Sequence, residues 1–188
     1  MATDQRGLVS GWKANPRLRA SAHTWADGAR RRVIEAEVNE DFVDLAASFV
    51  DEGVNFVIVG AYALAAHGFP RTTGDIDFFV QPTPSNARRV LRALLQFGAP
   101  VTAHGVSEDD FAKPGNVYQI GLPPRRIDVL TSISGVSFDE ASEAAIDGKL
   151  GAVPVRFIGR AAMRRNKLAA GRPKDLLDAE LLDEAKSD

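Results

Sequence analysis

The sequence predicts an α/β (α+β) fold in which a mixed β-sheet is flanked by helices and followed by C-terminal helices. Segments in which apolar residues recur every three or four positions alternate with short apolar runs that are typical of strands. The chain has 188 residues and 45% hydrophobic content, which suffices for one domain with a core of its own. No segment repeats and none has low complexity, so a single mixed sheet with helices around it is the expected arrangement.

The composition excludes several classes of site and location. The chain contains no cysteine, so disulfides and thiolate metal sites are excluded and a reducing interior is indicated. No apolar run approaches the roughly 18 residues of a membrane span, and the N-terminus lacks the apolar stretch of a secretory signal. We therefore expect a soluble, cytoplasmic protein without a membrane partner.

Residues 1–35 are expected to form a poorly ordered basic arm that precedes a single domain over residues 36–188. The first 32 residues contain seven lysines and arginines against two aspartates and show no sustained period. We favour a solvated tail, and an arm that contacts an RNA backbone is the alternative. The net charge of the whole chain is -2, which argues against bulk attraction to nucleic acid.

The first predicted elements are a helix, a strand and a second helix. The first helix begins near Val38 and ends near Gly53, and its buried stripe follows helical spacing. That stripe consists of Phe42, Leu45, Ala46, Phe49 and Val50. The continuous apolar run 56–59, ended by Gly60, predicts a strand that is buried on both faces. Residues 61–67, closed by Gly68, predict a short alanine-rich helix.

A second strand is predicted over residues 75–80, with Ile76, Phe78 and Val80 on one face and Asp75, Asp77 and Phe79 on the other. A helix should follow over residues 85–97, with Ser85 as its N-cap. Its predicted buried stripe is Val90, Leu91, Leu94 and Leu95.

The last elements are three strands and two helices. Two strands, 117–122 and 126–131, are joined by a turn at Pro123 and Pro124. A further strand covers residues 153–158. Helices are predicted around residues 161–169 and 173–185.

The paired carboxylates Asp75 and Asp77 are the first candidate for chemistry. At positions i and i+2 of a strand they project from the same face, about 6.5 to 7 Å apart at the backbone. Magnesium prefers oxygen ligands and keeps waters and substrate phosphates, so two or three carboxylates can hold it. A solvated strand edge is the alternative, but the apolar residues that follow put the pair at the end of a core element.

Gly60 is the second candidate, because it joins a buried strand to the start of a helix. Unpaired backbone N–H groups at a helix start favour phosphate, and glycine permits close approach. A glycine that only turns the chain is the alternative. A phosphate site and a carboxylate pair separated by one short helix suit a nucleoside triphosphate. No G-x-G-x-x-G dinucleotide motif and no P-loop motif accompanies them.

These residues resemble a known family. The string Val59-Gly60-Ala61-Tyr62-Ala63, followed by Gly68, Arg71, Thr72, Gly74 and Asp75-Ile76-Asp77, resembles the nucleotidyltransferase superfamily that includes DNA polymerase beta. It is most similar to small bacterial members related to abortive-infection and toxin nucleotidyltransferases. The resemblance implies a polymerase-beta-like core and a third carboxylate on a later strand, which Asp128 matches. Asp128 paired with Arg125 or Arg126 at a strand end is the alternative.

The resemblance continues near the end of the chain, where Lys167, Arg172, Lys174, Asp175 and Asp178 are similar to the Lys...Arg-x-Lys-Asp segment of toxin-like members. It implies that Lys167 and Asp175 belong to the active site, Lys167 at the triphosphate and Asp175 organising the site. Asp175 near a helix start could equally serve stability alone.

The nucleotide-binding residues expected from these two matches are Gly60, Ala61, Tyr62, Arg71, Thr72 and Lys167. For Tyr62 we consider packing the better explanation than base stacking. Ala61 departs from the glycine or serine of the family pattern and removes a hydroxyl contact to phosphate.

The predicted function is transfer of a nucleotidyl group from a nucleoside triphosphate to an acceptor hydroxyl. It would depend on one or two Mg²⁺ ions, or on Mn²⁺, held by Asp75, Asp77 and Asp128. The expected acceptor is an RNA end, tRNA-like, or a protein, and the resemblance implies a toxin with an antitoxin partner.

Two alternatives stay open. One is a catalytically inactive nucleotide- or RNA-binding module of the same fold that acts through a protein partner. The other is a plain RNA-binding domain. The cationic residues that could face RNA or steer the triphosphate are Arg160, Arg164, Arg165, Lys167, Arg172 and Lys174.

Overall fold

A seven-stranded mixed β-sheet organises the fold in the computed structural model, which describes residues 32–34 and 38–184. The strands are β1 (Arg32–Ile34), β2 (Phe56–Val59), β3 (Asp75–Val80), β4 (Val117–Ile120), β5 (Arg126–Leu130), β6 (Ile146–Leu150) and β7 (Val153–Phe157). Their order across the sheet is β1-β6-β7-β2-β3-β5-β4. β3 pairs with β2 antiparallel and with β5 parallel, so the sheet is mixed and the predicted fold class is confirmed.

Seven helices surround this sheet in the described part of the chain. They are α1 (Glu40–Asp51), α2 (Gly60–Ala66), α3 (Pro84–Phe97), α4 (Glu108–Ala112), α5 (Phe138–Glu143), α6 (Arg160–Ala170) and α7 (Pro173–Glu184). Each predicted helix and strand is present to within a few residues. None of the described helices is both long and apolar enough to cross a membrane.

The core forms where α1 packs over the central strands. Phe49 of α1 meets Phe56 and Phe78 edge to face, with ring centroids 5.3 and 5.4 Å apart. Such pairs add to the free energy that burial of the rings contributes. Phe78 is fully buried on the face of β3 opposite Asp75 and Asp77. The apolar face of β3 thus anchors the strand, and Asp75 and Asp77 lie on the other face beside the buried Phe79.

Three details of the predicted helices are wrong. Thr83, rather than Ser85, caps α3, because Pro84 occupies the first helical turn and the Thr83 side chain accepts a hydrogen bond from the Asn86 amide. Leu95 is 51% exposed and Val50 is 40% exposed, although both were assigned to buried stripes. Near the C-terminal end of α3 the buried residues are Ala93, Leu94 and Phe97, rather than the predicted Leu91, Leu94 and Leu95.

Four short elements were not predicted. Helices α4 and α5 each begin with a capping box, in which Ser107 pairs with Asp110 and Ser137 with Glu140. β6 pairs antiparallel with β7 and carries Gly148 at its centre, which weakens a strand pattern. β1 pairs parallel with β6, so Arg32–Ile34 belongs to the sheet. The rest of the predicted arm, residues 1–31 and 35, lies outside the described residues.

α7 has an unusual distribution of side chains. It buries Asp175, Asp178, Ala179 and Leu182 against the rest of the protein and leaves Leu177 62% exposed. Buried carboxylates require partners, because an unpaired buried charge is costly. The partners come from α6 and the loop before β3, which makes this helix part of the candidate site.

Candidate active site

The three predicted carboxylates lie on one face of two neighbouring strands. β3 and β5 pair in parallel, and their register sets Asp77 opposite Asp128 and Asp75 opposite Arg126. Since neighbouring strands are about 4.8 Å apart and alternate residues share a face, these four side chains form one polar patch. Asp128 is buried, whereas Asp75 and Asp77 are partly exposed. The structure thus brings together three aspartates that are separated by up to 53 positions along the chain.

Gly60 touches the carboxylate of Asp77. It begins α2 with a φ of 67°, in the left-handed region that favours glycine. A Cβ atom at this position would lie 2.0 Å from Asp77 Oδ2. Backbone conformation and close packing therefore both require glycine here. The phosphate-binding role of Gly60 stays a prediction, although Gly60 and Ala61 both line the cleft described below.

Gly60→Ala is expected to destabilise the protein by about 2 kcal/mol more than Gly53→Ala, because its methyl group must displace Asp77. Gly53 is the matched control: its φ is 65° and nothing lies within 4 Å of its ideal Cβ position. Chemical denaturation gives the free energy of unfolding of both variants, and the difference between their losses is the part due to the steric clash. Adding Asp77→Ala should remove this excess. Equal losses for the two glycine variants would contradict the contact.

The guanidinium group of Arg126 connects two of the three carboxylates. Its Nη2 donates to Asp75 Oδ2, and its Nε donates to Asp128 Oδ1 at 3.0 Å. Thr73 Oγ1 donates to Asp75 Oδ1 at 2.7 Å, and Gln119 Nε2 donates to Asp128 Oδ1 at 3.2 Å. The pairing of Asp128 with Arg126, considered above as an alternative, is therefore present inside the polar patch.

Burial and neighbouring charges alter the acidity of Asp77 and Asp128. Burial, reinforced by the charges of Asp75 and Asp128, raises the pKa of Asp77 to about 6. Burial also raises the pKa of Asp128, although the charge and hydrogen bond of Arg126 oppose this shift. Mutual repulsion among carboxylates is relieved by a bound cation, so this patch favours positive charge.

A second charged network holds α7 against α6. Lys167 is 4% exposed, and its Nζ donates to Asp175 Oδ1 at 2.9 Å and lies 2.9 Å from Asp178 Oδ2. Arg172 also binds Asp175, and Arg71 lies 3.4 Å from Asp178. Burial raises the pKa of Asp175, but the hydrogen bonds of Arg172 and Lys167 outweigh it and lower the pKa below its usual value. The two aspartates therefore position three cations.

A cleft of about 380 Å³ lies between the polar patch and this network. The cations that line it are Arg71, Arg126, Lys167, Arg172 and Lys174. The three carboxylates of the polar patch line it as well, and Asp175 and Asp178, from outside the cleft lining, pair with Lys167, Arg172 and Arg71. The cleft therefore has an acidic group and a cationic group rather than a net excess of one charge. A polyanion that carries its own divalent cations would satisfy both groups.

Two predicted site residues do not line the cleft. Asp175 is fully buried and contacts the cleft-lining Lys167 and Arg172, and its role in organising the site stays a prediction. Tyr62 packs edge to face on Phe42 with ring centroids 5.9 Å apart, which fits the packing role. Thr72 lines the cleft, and its nucleotide-binding role stays a prediction.

Half of the predicted cationic cluster has partners outside the cleft, two of them in ion pairs. Arg160 donates to the backbone oxygen of Leu182. Arg164 pairs with Asp183 at 2.6 Å, and Arg165 pairs with Glu140 at 3.1 Å. The other three members, Lys167, Arg172 and Lys174, line the cleft. These cations are therefore better placed to meet a ligand in the cleft than to form a broad RNA-binding surface.

Sequence reasoning missed Thr73 and Gln119 and gave Arg126 no role in the site. Period-two spacing contained a signal for Arg126, because a residue two positions before Asp128 shares its face of the strand. Thr73 and Gln119 carried no comparable signal. Gln119 contacts Asp128 only because β4 and β5 pair antiparallel with these two residues opposite each other.

The carboxylates suit a divalent metal chemically, but their arrangement is not that of a formed site. Three oxygen donors on rigid neighbouring strands match the preference of Mg²⁺ or Mn²⁺. In the described part of the chain, however, no three acidic, histidine or cysteine side chains are grouped so that they could hold one ion. Arg126 binds Asp75 and Asp128 in this arrangement. Metal binding by all three carboxylates therefore requires Arg126 to move.

Comparison with solved structures shows that the chain has a nucleotidyltransferase fold. It is similar to the solution structure of the antibiotic-resistance factor ANT(2'')-Ia, with a TM-score of 0.51 and 15% identity over 79% of this chain and 83% of that one. A crystal structure of ANT(2'')-Ia with adenylyl-2''-tobramycin also matches, with a TM-score of 0.49 and 14% identity over 77% and 86% of the two chains. No protein-family profile and no curated protein sequence matches the chain.

Proposed function

We propose that the protein transfers a nucleotidyl group from a nucleoside triphosphate to an acceptor hydroxyl, with Mg²⁺ or Mn²⁺ as cofactor. The observation that carries this proposal is one cleft in which Asp75, Asp77 and Asp128 face a row of cations. Carboxylates on one side suit divalent metals, and cations on the other suit the phosphates. Catalysis in such a site rests on positioning and on charge.

The reaction forms a bond between the acceptor oxygen and the α-phosphorus and breaks the bond to the bridging oxygen, which leaves with pyrophosphate. Asp128 would accept the proton of the acceptor hydroxyl, because its carboxylate lines the cleft beside Asp77. Asp75, Asp77 and Asp128 would hold the metal ions, which would stabilise the negative charge on the phosphates. Arg71, Lys167, Arg172 and Lys174 would bind the β- and γ-phosphates, and Asp175 would hold Lys167 and Arg172 in place.

The test measures transfer directly. Purified protein is incubated with each α-labelled nucleoside triphosphate, Mg²⁺ or Mn²⁺, and three acceptor pools: tRNA and other RNA, proteins, and aminoglycosides as small hydroxyl compounds. The proposal predicts label transfer to one pool and its loss on chelation of the metal. Asp147→Asn is the matched control, since this aspartate lies on β6 at an exposed position outside the cleft. No transfer together with no metal-dependent triphosphate binding would refute the proposal.

Transfer to an RNA or to a protein would correspond to a role as the toxin of a toxin-antitoxin pair. It predicts that expression of the protein arrests growth and that Asp77→Asn relieves the arrest. The antitoxin would then be a protein that prevents transfer in the same assay.

One observation favours a second candidate function, a nucleotide-binding module without turnover. Arg126 already binds two of the three carboxylates, as a fixed internal cation in an inactive relative would do. This candidate predicts triphosphate binding that is independent of divalent metal and no transfer to any acceptor. The same experiment therefore separates the two.

A further inference from the structure

Arg126 occupies the centre of the carboxylate patch in a geometry that a metal ion would otherwise use. Its guanidinium binds Asp75 Oδ2 through Nη2 and Asp128 Oδ1 through Nε. The two aspartates lie on adjacent strands, and Asp75 is directly opposite Arg126 itself. One side chain thus supplies positive charge to two of the three proposed metal ligands.

We infer that Arg126 is an internal counter-cation that competes with the divalent metal and must leave Asp75 and Asp128 before the metal can bind to them. This inference rests on the proposed function, because it concerns the same carboxylates. A guanidinium forms charge-assisted hydrogen bonds with carboxylates that each contribute a substantial stabilisation. Metal binding must replace these bonds, so they reduce the apparent metal affinity of the free protein.

The surroundings of Arg126 permit this exchange. Its side chain is 29% exposed, so one side of it already faces solvent in the cleft. Asp75 and Asp128 keep other donors when Arg126 leaves, namely Thr73 at 2.7 Å and Gln119 at 3.2 Å. The carboxylates therefore remain oriented after the exchange. Arg126 also lies on the wall of a cleft with four other cations, where the phosphates of a bound triphosphate would offer it a new partner.

This competition has a functional consequence. Free metal alone must displace Arg126 without compensation, whereas a metal–triphosphate complex brings phosphate oxygens that can accept the released guanidinium. Metal and triphosphate should therefore bind with positive coupling. The protein would hold little metal in the absence of nucleotide.

A purely structural role for Arg126 predicts the opposite sign. If Arg126 only orients Asp75 and Asp128, its removal loosens these ligands and weakens metal binding. If it competes, its removal strengthens metal binding by about tenfold, a lower bound set by one of its two charge-assisted hydrogen bonds. The direction of the change therefore distinguishes the two roles.

The experiment measures Mn²⁺ binding to the nucleotide-free protein at pH 7.5 by electron paramagnetic resonance of the free ion. Arg126→Gln is expected to bind Mn²⁺ about tenfold more tightly than the unsubstituted protein. Arg126→Lys should give an intermediate affinity, because one ammonium does not match the fork geometry that bridges two carboxylates. Arg125→Gln is the control: it removes the same charge at the adjacent, exposed position and should leave affinity within about twofold.

A second measurement uses thermal stability. Without metal, Arg126→Gln should melt at a lower temperature because Asp75 and Asp128 lose their counter-charge, and Mn²⁺ should raise its melting temperature more than that of the unsubstituted protein. If Arg126→Gln does not fold, the Arg126→Lys affinity decides the question on its own. Equal or weaker Mn²⁺ binding by the Arg126 variants would overturn the inference.

Failure of this inference is distinguishable from failure of the proposed function. Suppose that the Arg126 variants and the unsubstituted protein bind Mn²⁺ equally and that Asp77→Ala abolishes this binding. The metal site of the proposed function would then stand, and the competition by Arg126 would not. Absence of Mn²⁺ binding by every variant, including Arg126→Gln, would overturn both the inference and the metal dependence of the proposed reaction.

Discussion

Asp77→Asn is expected to reduce nucleotidyl transfer by about 10³-fold, which corresponds to about 4 kcal/mol of lost transition-state stabilisation. Asp77 is the carboxylate at the centre of the patch, opposite Asp128 on the next strand and against Gly60. An amide of the same shape keeps the packing but removes the negative charge that a metal requires. The measurement is the initial rate of label transfer, with Asp147→Asn as the control of unchanged rate.

The same substitution should stabilise the metal-free protein at neutral pH. Folding raises the pKa of Asp77 to about 6 from an ordinary value near 3.8. Between these two values the folded state binds more protons than the unfolded state, so stability falls as pH rises through this window. Above pH 6 the full cost applies, and the shift corresponds to about 2 to 3 kcal/mol. Asp77→Asn avoids this cost because asparagine does not ionise.

Thermal melts in a chelating buffer check the stability effect. Asp77→Asn should melt several degrees above the unsubstituted protein at pH 7.5, and the difference should shrink toward pH 4. Addition of Mg²⁺ together with a nucleoside triphosphate should stabilise the unsubstituted protein more than the variant. If the variant is less stable than the unsubstituted protein at pH 7.5, the ionised carboxylate of Asp77 does not destabilise the folded state.

Lys167→Met is the second large effect, and it should destabilise the protein by about 3 kcal/mol. The substitution leaves Asp175 and Asp178 buried without the ammonium group that lies 2.9 Å from each of them. We place the loss at the low end of the range for broken buried pairs, because Arg172 and Arg71 still reach these carboxylates. Denaturant titration gives the free energy of unfolding.

Lys174→Met is the control for Lys167→Met, because Lys174 lies on the same cleft but is exposed. Its effect on stability should stay within about 0.5 kcal/mol. The loss in Lys167→Met should also diminish at low pH, where the uncompensated Asp175 takes up a proton. Similar losses for both lysine variants, or a loss that does not depend on pH, would contradict a buried ion pair as the cause.

The helices and strands that carry the site could be predicted because their residue patterns depend only on neighbouring positions in the sequence. Alternation over residues 75–80 placed Asp75 and Asp77 together on one face, and helical spacing located α1. The details that failed depend on tertiary packing. Leu95 has the spacing of a buried residue, yet α3 is covered on the side of Ala93 and Phe97. β1 is three residues long, and its pairing with β6 has no local signal.

The composition of the site was predictable in part, but its geometry was not. Asp128 entered through a family resemblance, and only the parallel register of β5 with β3 sets it opposite Asp77. Register across two strands is fixed by long-range packing, which a single sequence does not display. The same register brings Arg126 onto Asp75, so the competing cation could not have been assigned without the structure. The burial of Asp175 likewise depends on how α7 packs on α6.

The division of the cleft between early and late parts of the chain has a consequence for its biosynthesis. The three aspartates lie between positions 75 and 128, whereas Lys167, Arg172 and Lys174 follow more than 35 residues later. A ribosome therefore releases the acidic side of the cleft first, when its carboxylates still lack most of the opposing cations. Arg126 emerges between Asp75 and Asp128 and can bind both, which offsets one of their two negative charges. The nascent chain thus carries its own counter-charge until the last two helices complete the cleft.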